Sequence, residues 1–70
     1  MDIKVKFVFT NASTYLHTFE ISNDKTPQEA WDAIRETLAR LTNIHTSDGV
    51  FINMKHVNMV LWVNNPNKPD

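Results

Sequence analysis

The sequence contains no cysteine and a single glycine, Gly49. Without cysteine there is no disulfide scaffold of the kind that stabilises small secreted domains, so the expected setting is the reducing cytoplasm. An excess of charge of one sign is also missing. Seven basic residues stand against eight acidic ones, a net charge of −1, which disfavours a dedicated nucleic-acid binder and a polybasic membrane anchor. No apolar run approaches the ~18 residues of a membrane span. The opening Met1-Asp2-Ile3-Lys4-Val5-Lys6 alternates charged and apolar residues and does not read as a signal peptide. Without a secretion signal, Asn11-Ala12-Ser13 reads as a turn rather than a glycosylation sequon.

What is present suits one small globular domain. Hydrophobic residues make up 41% of the chain, too many for a disordered segment. At 70 residues the chain is near the lower end of what folds unaided. A domain of this size buries only about 60% of its unfolded surface, so a second subunit or partner often completes the burial.

Residues 2 to 10 alternate with a period of two, Ile3, Val5, Phe7 and Phe9 on one face, which predicts a half-buried strand. Residues 14 to 22 repeat the pattern through Tyr15, His17, Phe19 and Ile21. A three-residue loop at 11–13 sets Phe9 against Tyr15, Phe7 against His17, Val5 against Phe19 and Lys4 against Glu20. Next, Thr26-Pro27-Gln28-Glu29 carries a capping box with proline at the first helical position. It predicts a helix to about residue 42, with Trp31, Ile34, Leu38 and Leu41 as its apolar stripe and Asn43 as its C-terminal cap. Thr42 to Gly49 reads as a polar connector. From Val50 to Val63 the apolar pattern changes phase, which predicts a short strand at about 50–53, a tight turn at 53–56 and a longer strand at about 57–64. The expected domain is therefore 1–64, with a flexible C-terminal tail at 65–70.

These elements predict a two-layer α+β fold of order ββαββ, a four-stranded sheet with one helix packed on one face. Strand order 2-1-4-3, with the last strand parallel to the first, is preferred to an all-antiparallel sheet. In outline the order resembles ubiquitin-type β-grasp domains, although Asn67-Lys68-Pro69-Asp70 is not the diglycine end that conjugation would require. The phrase Ile52-Asn53-Met54-Lys55-His56-Val57 is similar to a strand–turn–strand phrase in several bacterial regulatory domains.

Candidate chemistry is sparse. His17, His45 and His56 lack the close spacing of metal pairs, and there is no cysteine to join them. Ser13, Ser22 and Ser47 sit in polar, turn-like stretches without a nucleophile elbow, and Asp32 and Glu36 share a solvated helix side. The reading is therefore noncatalytic, with no cofactor and no metal. What stands out is apolar surface without a cover: Val8 and Leu16 lie on the sheet face away from the helix, and either Val60 and Trp62 or Met59 and Leu61 must join them. The core parity of Val57, Met59, Leu61 and Val63 assigns Val60 and Trp62 to that face. The expected function is a protein-interaction domain, in its simplest form a homodimer joined through that face. The alternative is a weak nucleic-acid-binding module using Lys4, Lys6 and Lys55.

Overall fold

A computed structural model describes residues 1–66. In chain order the elements are β1 (Asp2–Phe9), β2 (Thr14–Glu20), α1 (Pro27–Arg40), β3 (Asn43–His45), β4 (Phe51–Asn53), a single 3-10 turn (Met54–His56) and β5 (Val57–Trp62). They form two sheets. The main sheet has strand order β2-β1-β5, and β3 pairs with β4 in a separate two-stranded ribbon.

This corrects the expected four-stranded sheet and its parallel 2-1-4-3 order. The last strand does lie beside the first, but antiparallel to it. The cause is β3, which occupies part of the stretch expected to be a connector. Ile44 and Ile52 face each other across the ribbon and both are buried. One apolar side chain between polar neighbours is too short a pattern to announce a strand, yet it adds one reversal of direction before β5. Thr46 N–H donates to the Val50 carbonyl (2.8 Å) and Gly49 N–H to the Thr46 carbonyl (3.1 Å), closing the ribbon. Gly49 adopts φ 87°, a left-handed value that glycine takes without strain.

The hairpin pairs strands of the expected parity in a shifted register. Ile3 lies opposite Phe19, Val5 opposite His17, Phe7 opposite Tyr15 and Lys4 opposite Thr18, so the expected Lys4–Glu20 pairing does not form. The loop is centred on Asn11, whose Oδ1 accepts from Ser13 N–H at 3.0 Å. That bond draws Ser13 into a closing pair with Phe9, whose N–H donates to the Ser13 carbonyl at 2.9 Å. Ala12 takes up the turn at φ 71°. Because each partner moves by two positions, every side chain keeps its face.

The helix starts as its sequence specifies. Thr26 accepts from Glu29 N–H (3.2 Å) while the Glu29 carboxylate accepts from Thr26 N–H (2.9 Å), and Pro27 occupies the first turn. Such a cap stabilises by about 1 kcal/mol. The backbone bonds to Thr26 hold the Glu29 carboxyl below its ordinary range. The C-terminal cap is Leu41, not Asn43, and its extended backbone (φ −91°, ψ 141°) takes Leu41 out of the helical phase and into solvent.

Three residues of β1 (Ile3, Val5, Phe7), three of α1 (Ala30, Ile34, Leu38), Ile44, Ile52 and Trp62 make the core. The helix and the ribbon thus share one face of the main sheet, and the other face carries no layer among the described residues. Of the expected tail, Asn65 is half-buried and Pro66 exposed, while 67–70 lie outside the described residues. No helix among the described residues is long and apolar enough to cross a membrane.

Candidate functional site

The helix-free face is built from the even-numbered residues of β1 and the residues they pair with. One cross-strand row reads Leu16, Lys6, Leu61, and the next reads Thr14, Val8, Met59. Leu16 is 54% exposed, Met59 48% and Leu61 42%, while Val8 and Lys6 are half-buried. In this register the aliphatic stem of Lys6 runs between two leucines, which lets its ammonium reach water over an apolar floor. Toward the other end the face turns polar, with Lys4 beside Thr18 and Asp2 beside Glu20.

Val8 and Leu16 therefore lie where expected, although Val8 is paired with Thr14 and Leu16 with Lys6. Val60 and Trp62 do not. Trp62 is 7% exposed and stacks on Trp31 with ring centroids 5.6 Å apart, on the helix side of the sheet. Val60 is half-buried on that same side, opposite Phe7. The reason is a bulge. Phe9 pairs with Val57 but Val8 pairs with Met59, so Asn58 is an extra residue and the phase reverses across it. Val57 consequently faces inward with Phe9, whereas Met59 and Leu61 face out.

Met59 and Leu61, the alternative pair that parity assigns to the core, are thus the ones on the surface. A signal existed in Asn64. Its Oδ1 accepts from Lys4 N–H (2.8 Å) and from the Trp62 indole (3.0 Å), and its Nδ2 donates to the Asp2 carbonyl (2.9 Å). One amide side chain thereby extends the β1–β5 ladder past its end and fixes Trp62 inward. An asparagine two residues beyond a tryptophan can satisfy the indole N–H, which a buried tryptophan needs.

The three lysines of the nucleic-acid alternative are not brought into one strip. Lys4 and Lys6 project from β1 on the helix-free face. Lys55 belongs to the 3-10 turn, where its N–H donates to Asn53 Oδ1 (3.1 Å), and it lines a hollow with Leu41 and Thr42.

One polar cluster lies off this face. The Tyr15 hydroxyl donates to Asp48 Oδ2 (2.8 Å) and stands 3.4 Å from His17 Nδ1, and the Thr46 hydroxyl donates to Asp48 Oδ1. Bonds from Thr46 and Tyr15 hold the Asp48 carboxyl below its ordinary range, and the bond to Asp48 pushes the Tyr15 phenol up. Both shifts move away from neutrality, opposite to what general acid–base work near pH 7 requires. The cluster's evident effect is mechanical: it ties the tip of the β3–β4 ribbon to β2. Among the described residues, no group of three or more His, Cys, Asp or Glu is placed to hold a metal ion.

Comparison with known proteins gives no guide. No family model matches the chain, and no curated protein or solved structure matches it.

Proposed function

We propose that this chain is a small noncatalytic protein-interaction domain that self-associates, using the helix-free face of the main sheet as its apolar contact surface. The observation that supports this reading is the exposure of Leu16, Met59 and Leu61 on a face that already contains Val8 and the stem of Lys6. Contiguous apolar patches of this kind are the usual mark of an interaction site. The domain's size points the same way, since a core of nine buried residues among those described gains from burial against a second chain. The polar cluster at Tyr15 and Asp48 favours a noncatalytic role, because its bonding satisfies both groups and moves their titration away from neutral pH.

The test is solution mass by light scattering over a wide concentration range, for the native chain and for a Met59→Ser, Leu61→Ser double variant. Association of the native chain, weakened in a variant whose circular dichroism is unchanged, supports the reading. A native chain that stays monomeric at every concentration defeats the self-association half of it. A variant that associates as tightly as the native chain removes this face from the contact.

A further inference from the structure

β2 is an edge strand whose bonding phase can be read at both of its ends. Phe9 N–H donates to the Ser13 carbonyl (2.9 Å) and Ile21 N–H to the Met1 carbonyl (2.8 Å), so odd-numbered residues turn their backbone groups toward β1. Because the direction alternates residue by residue, Thr14, Leu16, Thr18 and Glu20 turn theirs outward. All four residues are exposed, and among the described residues no hydrogen bond reaches those outward groups. The strand pairs without a bulge, contains no proline and carries its one acidic residue at its end, so little guards this edge.

Beside the edge, on the helix side, lies an apolar hollow of about 240 Å³ lined by Phe19, Ile21, Ala33, Ile34, Thr37 and Leu38. It is smaller than a pocket for a drug-sized ligand and suits side chains carried by a neighbouring strand. On the opposite face Glu20 stands directly across from Asp2, a pairing of like charges that costs stability. The next pair on that face, Lys4 with Thr18, brings one positive charge for the two carboxylates. The Met1 ammonium is held by the Ile21 carbonyl (3.1 Å) and Asn23 Oδ1 (2.7 Å). The edge therefore offers backbone groups in strand spacing, an apolar recess on one face and an excess carboxylate on the other.

We propose that the β2 edge binds an extended segment of another protein as an added strand, one in which aliphatic residues alternate with lysine or arginine. Its main chain bonds the outward groups of Leu16, Thr18 and Glu20. Its aliphatic side chains, opposite Phe19 and Ile21, enter the hollow, and the basic residue between them lies opposite Glu20. The inner edge of β2 already accepts this chemistry from β1. There Ile3, Val5 and Phe7 are buried toward the helix, while Lys4 and Lys6 point to the other face.

A second copy's β2 does not meet these requirements. Thr14–Glu20 contains no lysine or arginine, so it would add another Glu20 and no base to answer the first. Its helix-side residues are the rings of Tyr15, His17 and Phe19, and Tyr15 is tied to Asp48 (2.8 Å). The inference does not depend on the self-association reading.

NMR titration of the native chain with an acetylated, amidated peptide of this chain's own residues 3–7, Ile3-Lys4-Val5-Lys6-Phe7, tests the inference. At saturation the Leu16, Thr18 and Glu20 amides should exchange about tenfold more slowly or better, and the Ala33 and Thr37 signals should shift. Glu20→Lys, and Ala33→Leu, which fills the hollow from an exposed helix position, should each weaken binding by about fivefold or more. Leu61→Ser, on β5, should leave it unchanged. No binding at millimolar peptide overturns the inference, as do shifts confined to β5 or full affinity in both the Glu20→Lys and Ala33→Leu variants. Slowed Leu16 and Thr18 amides in a dimer without peptide would make a second copy the occupant and likewise overturn it. A chain that binds the peptide and stays monomeric at every concentration supports this site and defeats self-association.

Discussion

β2 and β5 flank the same central strand, and their side chains meet solvent in different ways. β2 alternates with strict period two: Tyr15, His17 and Phe19 are half-buried toward the helix side, and Thr14, Leu16, Thr18 and Glu20 face out. β5 carries apolar side chains on both faces, breaks phase at Asn58, and places its one buried residue, Trp62, at its end. A strand with one polar face declares which side is which. A strand apolar on both faces leaves that choice to its anchors, here the Trp31 stack and the Asn64 amide.

The sharpest way to break the comparison is to remove the anchor itself. Trp62→Ala should destabilise the fold by about 3–5 kcal/mol, because it deletes a buried ring and leaves a cavity against Trp31. Phe19→Ala on β2, where the ring is half-buried, should cost about half as much. Urea denaturation at dilute protein concentration measures both without a contribution from association. Equal losses would mean that the two edges contribute alike to the core.

Asn64→Ala comes next. The substitution removes one acceptor for two N–H groups and one donor for the Asp2 carbonyl. Lys4 N–H and the Asp2 carbonyl can turn to water, but the indole N–H of the buried Trp62 has less access to it. A loss of about 1–3 kcal/mol is expected. A red shift of tryptophan fluorescence, from an indole that swings outward, would accompany it. A loss under about 0.5 kcal/mol would show that packing on Trp31 alone orients Trp62.

These anchors also explain how far the fold could be read in advance. The capping box at Thr26, the turn at 53–56 and the hairpin's face assignment were legible because each depends on neighbours in sequence. The hairpin register differs by two positions from the one that loop length predicts, since the Asn11 side chain selects the closing pair. β3 was missed because three residues around Ile44 acquire strand character only by pairing with Ile52. That omission then inverted the direction of the last strand. At the candidate surface, Val8 and Leu16 were legible from period two. Val60 and Trp62 lie on the helix side instead, because the reversal at the bulge depends on pairing with β1, which no local pattern in 57–63 records.

On the β2 side, the turn gives a smaller effect of opposite sign. Ala12 holds φ 71°, a conformation in which a Cβ is crowded by the backbone. Ala12→Gly should therefore stabilise the fold by about 1 kcal/mol, the relief of strain exceeding the added flexibility of the unfolded chain. A raised denaturation midpoint with an unchanged slope would be the signature. Since the change lies at the β1–β2 turn, exchange rates along β5 should not respond.

The smallest expected effect separates the two edges by pH. Asp48 holds the ribbon to β2 through Tyr15, and its carboxyl lies below the ordinary range because Thr46 and Tyr15 donate to the ionised form. A carboxylate depressed in the folded state contributes stability above its unfolded value, about 4. That contribution is lost as pH falls through the lower, folded value. Glu29, held down by its bonds to Thr26, behaves the same way at the start of α1. Both groups are exposed, so the loss is slight and local. Asn64 and the Trp31–Trp62 stack contain no group that titrates in this range. Acidification below about pH 4 should therefore speed amide exchange at the ribbon tip and the first helical turn, while Lys4 and Leu61 keep their protection. Asp48→Asn should reproduce the ribbon effect at neutral pH and remove its further dependence on acid. If β5 loosens at the same pH as the ribbon, the two sides of the sheet unfold as one unit, and the contrast between them is confined to the native structure.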